Sequence, residues 1–295
     1  VLWHSVSPTT LGHLRDAVAT VPAFGPRRPV YAVLHRATFE RLSRSALTRR
    51  SARALVRRVD AFVFQSEHLA RRCAAVVPPE KRVVIPHTVD EAAACTAGEV
   101  GRRLADGPGR PLRLLFLSHM IREKGYLDVV EAAGRLRQRG VPFRLDMAGG
   151  WPRDGDRAAF EARVRAAGVA DAVVHHGALR DRAEVRRLHL AADVFLLPTY
   201  HPTETQPIAI LEALGAGTPV VSVDRPILHD IVPGGGGGAL VPPRAPGALA
   251  DAVERLAEPG AWAAAAAAAR ARYEAAFAPE AVRDRWLALL DRDRR

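Results

Sequence analysis

The feature that most constrains this chain is an alternation of strand-like and helix-like segments that runs, breaks and starts again. "VLWHS" opens as a strand, and helical period follows from about Leu11 to Val21. Then come "PVYAVLH" (Pro29–His35), a long Arg-rich helical stretch (Thr38–Arg58), "AFVFQS" (Ala61–Ser66) and "RVVIPHTVD" (Arg82–Asp90). From Pro111 the pattern resumes: "LRLLFLS", a helical stretch Lys124–Arg139, "FRLDMAGG", helix, "AVVHHG", helix, "VFLLPT", helix, "PVVSV", a short helix, "GALVPP", and helices to the end. β-Branched and aliphatic runs separated by helical segments predict parallel sheets, since parallel neighbours need a crossover between them.

Between the two series lies "EAAACTAGEVGRRLADGPGRP", polar and rich in Gly and Ala, with turn residues at its end. It reads as an interdomain linker over 90–111. The expected organisation is a partial N-terminal Rossmann-like domain over 1–89 and a complete C-terminal one over 112–275. A last helix over 276–295 packs back on the first domain. The N-terminal series supplies about half the expected strands and starts inside one. The expectation is therefore that the opening segment of this domain is missing and that the chain binds its ligand but turns over poorly.

The 295 residues, 48% of them hydrophobic, suffice for two cores. No apolar run reaches membrane-spanning length. Cys73 and Cys95 form neither a metal-ligand spacing nor a disulfide framework, which points to a reducing, cytoplasmic location. The net charge is +11, yet of 43 basic residues only Lys81 and Lys124 are lysines. That bias weakens any inference from charge to nucleic acid and makes each lysine more informative. No aromatic interleaving or nucleic-acid module accompanies the arginines, so nucleic acid is not an expected partner.

The chemistry concentrates in "YHPTETQPIAILEALGAGTPVV" (Tyr200–Val221), where seven residues separate Glu204 from Glu212. Glu204 lies in a Thr/Pro-rich loop. Glu212 lies within an apolar helical run, where a carboxylate needs either an internal partner or a ligand. The helix is expected to start near Pro207, with Thr203 and Gln206 matching a capping pattern. Its first free N–H groups, those around Gln206 to Ile208 on either side of Pro207, would face an anion. In a doubly wound sheet such a loop follows the carboxyl end of a strand, where ligands bind.

This strand, loop and Glu-x7-Glu arrangement resembles the donor site of family 4 glycosyltransferases, which are retaining enzymes of GT-B fold (glycosyl transferases group 1). Glu123-Lys124-Gly125, within "LLFLSHMIREKGYLDVVEAAGRL", resembles a second motif of the family. The resemblance implies a retaining, metal-independent hexosyltransferase of glycan biosynthesis. It would move a sugar from a nucleoside diphosphate to a glycan or lipid-linked hydroxyl, with no cofactor. It implies that Glu212 accepts the ribose hydroxyls, that Glu204 approaches the donor sugar with Thr205 among the donor-binding residues, and that Lys124 places a charge on the diphosphate. Ser118-His119 stands where the family commonly has Gly-Arg; His119 is either a hydrogen-bond donor to the phosphate or a structural or solvated histidine. Gly149 and Gly150 fall where the family has a glycine turn beside the nucleotide. His35 is either a residue near the reacting sugar or a strand-end histidine.

The stretch 38–58 carries Arg41, Arg44, Arg49, Arg50, Arg53, Arg57 and Arg58 among leucines. It is either a basic helix peripheral to an anionic membrane or a solvated helix of an Arg-biased protein. The readings that compete with transfer are an inactive nucleotide-sugar-binding remnant and a GT-B-like epimerase or phosphorylase. Lys81 lacks any context for pyridoxal phosphate.

Overall fold

The computed structural model describes residues 2–5, 29–34, 46–234 and 236–292. His35, the stretch 11–21 and the first part of the Arg-rich helix lie outside the described residues. The chain divides into two units. The first comprises residues 1–87, 203–206 and 280–295, and the second residues 88–202 and 207–279.

In the first unit, β1 (Leu2–Ser5), β2 (Val30–Leu34), β3 (Ala61–Phe64) and β4 (Arg82–Val84) form one parallel sheet in that order. Alternate side chains of a strand leave by opposite faces, and both faces are covered here. Val30, Ala32, Leu34, Phe62 and Phe64 pack with Ala52 and Leu55 of the helix Ala46–Arg58 and with Leu69. Tyr31, Ala61, Val63 and Ile85 pack instead against Val282 and Leu289 of the last helix, Pro279–Arg292. The Tyr31 hydroxyl donates to the Leu289 carbonyl at 3.4 Å. The short helix Glu67–Arg72 starts at Ser66, whose hydroxyl accepts from Leu69 N–H.

The second unit holds β5 (Leu112–Leu117), β6 (Phe143–Ala148), β7 (Val173–His175), β8 (Val194–Leu197), β9 (Val220–Val223) and β10 (Gly238–Val241). All pairings are parallel, in the order β10-β9-β8-β5-β6-β7. This is the doubly wound Rossmann order. Helices cover both faces, so central strands such as Val194–Leu197 are buried throughout and read as unbroken apolar runs.

The stretch 90–111 differs from the linker expectation. It contains the helix Ala97–Asp106, which opens with a capping box between Thr96 and Glu99 and belongs to the second unit. Arg103 ties it down. Its buried guanidinium donates to the carbonyls of Leu190 at 3.0 Å, Gly217 at 3.1 Å and Ala192, and stacks over Trp262. Satisfied by three carbonyls, the charge can be buried, although burial lowers its pKa to about 10.

Candidate active site at the switch point

The chain leaves β5 toward β6 on one side and β8 toward β9 on the other. A crevice forms where neighbouring strands diverge in this way, outside their carboxyl ends. The two motifs singled out in the sequence follow those two strands.

After β5, Arg122–Lys124 form a single 3-10 turn, with Lys124 N–H donating to the Ile121 carbonyl at 2.9 Å. Gly125 then adopts φ +79°, and a Cβ there would lie 2.5 Å from the Pro198 carbonyl oxygen at the end of β8. Glycine is required both by the left-handed backbone and by this approach. The two loops are also bonded directly. Tyr200 N–H donates to the Glu123 carbonyl at 2.8 Å, and the Thr199 hydroxyl reaches the same oxygen at 3.3 Å. The Lys124 turn is thus built onto the start of the loop that leads to Glu204 and Glu212. Arg225, after β9, donates to the His201 carbonyl at 2.9 Å from the other side. Lys124 is half-buried and His119 exposed.

The turns after β5, β6 and β7 form one ladder. Gly149 N–H donates to the Gly177 carbonyl at 2.8 Å, and Met120 N–H to the Gly150 carbonyl at 3.0 Å. Gly149 has φ +155°, and a Cβ would meet the Ser118 carbonyl oxygen at 1.8 Å, so no other residue fits. His175 Nε2 lies 3.1 Å from the Gly149 carbonyl and His176 Nε2 2.7 Å from Asp146 Oδ1, which fixes the "HHG" loop from two directions.

The helix after β8 runs Ile208–Gly215, with Pro207 at its N-cap and no side-chain cap. The Thr203/Gln206 capping expectation is therefore corrected. The Gln206 side chain is used elsewhere, its Oε1 accepting the His87 N–H at 2.6 Å. Glu204 and Thr205 are half-buried, and residues 203–206 pack with the first unit.

Glu212 is 4% exposed. One carboxylate oxygen, Oε1, takes a hydrogen bond from Arg182 Nη2. The other, Oε2, lies 3.5 Å from Nε2 of the buried His189, long for a hydrogen bond. Neither ring nitrogen of His189 has a hydrogen-bond partner among the described residues, so its contact with Glu212 is ionic in character, and the ring packs against Phe195 at 5.1 Å. Burial opposes ionisation of Glu212, but His189 and Arg182 outweigh it, and the net pKa lies below the ordinary carboxylate value.

Both partners escaped the sequence reading. Arg182 and His189 stand seven residues apart on the helix Arg182–Ala191, two turns, and so share a face. That spacing was the available signal, but in so Arg-rich a chain it does not stand out.

Residues 111–259 match the family Glycosyl transferases group 1. The fold is that of GT-B glycosyltransferases. A sucrose-phosphate synthase from Thermosynechococcus elongatus superposes with a TM-score of 0.74 at 22% identity, over 96% of this chain and 71% of that one. HepE of Anabaena, solved with UDP and glucose, gives 0.73 at 18% identity, over 96% and 76%. By sequence, WcaL of Salmonella typhimurium, named for a glycosyltransferase of colanic acid biosynthesis, is 31% identical over 212 residues, 69% of this chain and 48% of its own. The 2-deoxystreptamine glucosyltransferase of Streptomyces kanamyceticus is 30% identical over 227 residues, 75% and 56%. This chain belongs to the glycosyl transferases group 1 family of enzymes. It spans about half the length of the curated relatives it matches.

Proposed function

We propose that the protein transfers a hexose from a nucleoside diphosphate sugar to an acceptor hydroxyl with retention of anomeric configuration. One observation carries the reading. A buried, ionised Glu212 follows β8 at the sheet's switch point, beside a strand whose own loop presents Lys124. A buried carboxylate suits the vicinal hydroxyls of a ribose. A lysine and helix-start amides suit a diphosphate. The names of the relatives and the UDP and glucose bound to HepE support the same class of donor.

In this reading the leaving group is an anion, so catalysis is chiefly electrostatic. Lys124, the amides around Gln206–Ile208 and His119 stabilise the departing diphosphate. Glu204 orients the sugar, and Thr205, Gly149 and Gly150 border the donor. The acceptor is a glycan or a lipid-linked hydroxyl. Contact with an anionic membrane through the Arg-rich helix is purely electrostatic in this scheme. Ala52 and Leu55 are committed to the core of the first unit, which leaves Arg50, Arg53 and Arg57 exposed.

Titration calorimetry with uridine, guanosine and adenosine diphosphates tests the donor site. One of them binds, and Glu212→Ala weakens it by roughly 1.5–3 kcal/mol, the worth of hydrogen bonds to a charged group. Unchanged affinity in a folded variant removes Glu212 from the site. Product anomer analysis by NMR tests retention.

A further inference from the structure

Glu212 is engaged from two sides by residues of one helix, and the two contacts are unlike. His189, on the inner side, is 1% exposed and packed on Phe195, so it has nowhere to go. Arg182, on the outer side, is the first residue of its helix, and its side chain is 38% exposed. Its guanidinium makes no hydrogen bond among the described residues other than the one to Glu212. A cation at a helix N-terminus is disfavoured by the helix dipole, so the helix does not hold Arg182 in place. The carboxylate does. Long, partly exposed side chains change rotamer in picoseconds to nanoseconds, so release faces no large barrier.

We propose that Arg182 is a displaceable plug on Glu212: without ligand it occupies the outer carboxylate oxygen, and a vicinal diol must expel it to bind. The proposal rests on the assignment of Glu212 to the nucleotide's ribose made above. A carboxylate receiving both hydroxyls of a diol uses both oxygens, and Oε1 is taken by Arg182. Ligand binding therefore breaks this ion pair before it makes its own contacts, and the apparent affinity is lowered by that competition. The plug also keeps a buried carboxylate paired while the site is empty.

The test compares wild type, Arg182→Ala and Arg182→Met, with Glu212→Ala in parallel. Each is titrated with uridine, guanosine and adenosine diphosphates, and the best binder again as its 2′,3′-dideoxy analogue. Removal of the plug tightens the diol-bearing nucleotide about two- to fivefold, the range expected for a half-exposed ion pair, and leaves the dideoxy analogue unchanged. Arg182→Met keeps the apolar stem and replaces the alanine variant if that one does not fold, as judged by thermal unfolding. Unchanged or weaker binding of the diol nucleotide in both variants overturns the plug. So does equal tightening of the dideoxy analogue, because the effect would then not pass through the diol. If Glu212→Ala binds as wild type does, the ribose assignment fails instead. If no nucleotide binds wild type or either Arg182 variant, the assignment and the plug fall together; binding to the variants alone supports the plug.

Discussion

Nε2 of His189 lies 3.5 Å from Oε2 of Glu212, with both side chains almost wholly buried. The histidine is the only inner partner that this carboxylate has among the described residues. His189→Phe keeps most of the volume and the contact with Phe195 but removes the ring nitrogens. The expected cost is about 1 kcal/mol of stability, because Glu212 loses a weak inner contact and keeps its outer partner. Nucleoside diphosphate affinity falls as well, since the carboxylate loses the contact that fixes its rotamer. Thermal unfolding and calorimetry measure the two effects. A stable variant with unaltered affinity would show that His189 only fills space.

Acid should act through the same carboxylate. Glu212 has a folded-state pKa below the ordinary value of 4.5. A depressed carboxyl group adds stability that is present above its unfolded pKa and lost as pH falls through its folded pKa. The wild type therefore loses stability below pH 4.5 more steeply than Glu212→Gln, which has no proton to take up there. Melting temperatures of both proteins between pH 7 and pH 3 check this. Parallel curves would mean that Glu212 does not contribute to the acid limb.

Lys124→Ala should slow transfer far more than it weakens donor binding. Negative charge on the diphosphate grows as its bond to the sugar breaks, and a lysine placed there is worth most in the transition state. A loss of about 10²–10³ in kcat with a small change in KM is the expected split. Lys124→Arg should recover only part of the rate, because the guanidinium fork is larger and aimed differently. Equal losses in binding and turnover would make Lys124 a ground-state contact.

Arg103 should matter to the fold and not to the ligand. Arg103→Met leaves three carbonyls, those of Leu190, Ala192 and Gly217, without their common donor. The expected cost is about 1–3 kcal/mol, measured by denaturant unfolding. Arg103→Lys cannot reach all three acceptors and should fare little better. Stability equal to wild type would mean that other donors replace the guanidinium.

Much of this protein was legible in its sequence, because the relevant signals are local. Unbroken apolar runs such as "VFLLP" and "PVVSV" can be satisfied only by strands covered on both faces, and with helices between them they dictate parallel sheets. The two motifs announced themselves through residue types that stand out: a carboxylate in an apolar helix, and one of only two lysines in an arginine-rich chain. Gly125 and Gly149 belong to motifs read from sequence, but the backbones that forbid a side chain there, at Pro198 and Ser118, come from other strands.

Tertiary structure decided what lies between elements distant in the chain. The stretch 90–111 looked like a linker because helix 97–106 buries little of its own. Its place depends on Arg103 finding carbonyls at the ends of two other helices. Gln206 fitted a local capping pattern but was claimed by His87, a partner that no local pattern contains. The question posed by Glu212, internal partner or ligand, was answered on one side by the fold, which supplies Arg182 and His189 from a neighbouring helix. Periodicity reports which face of an element is apolar. It does not report which other element will face it, and the charges that meet across that gap are set by packing alone.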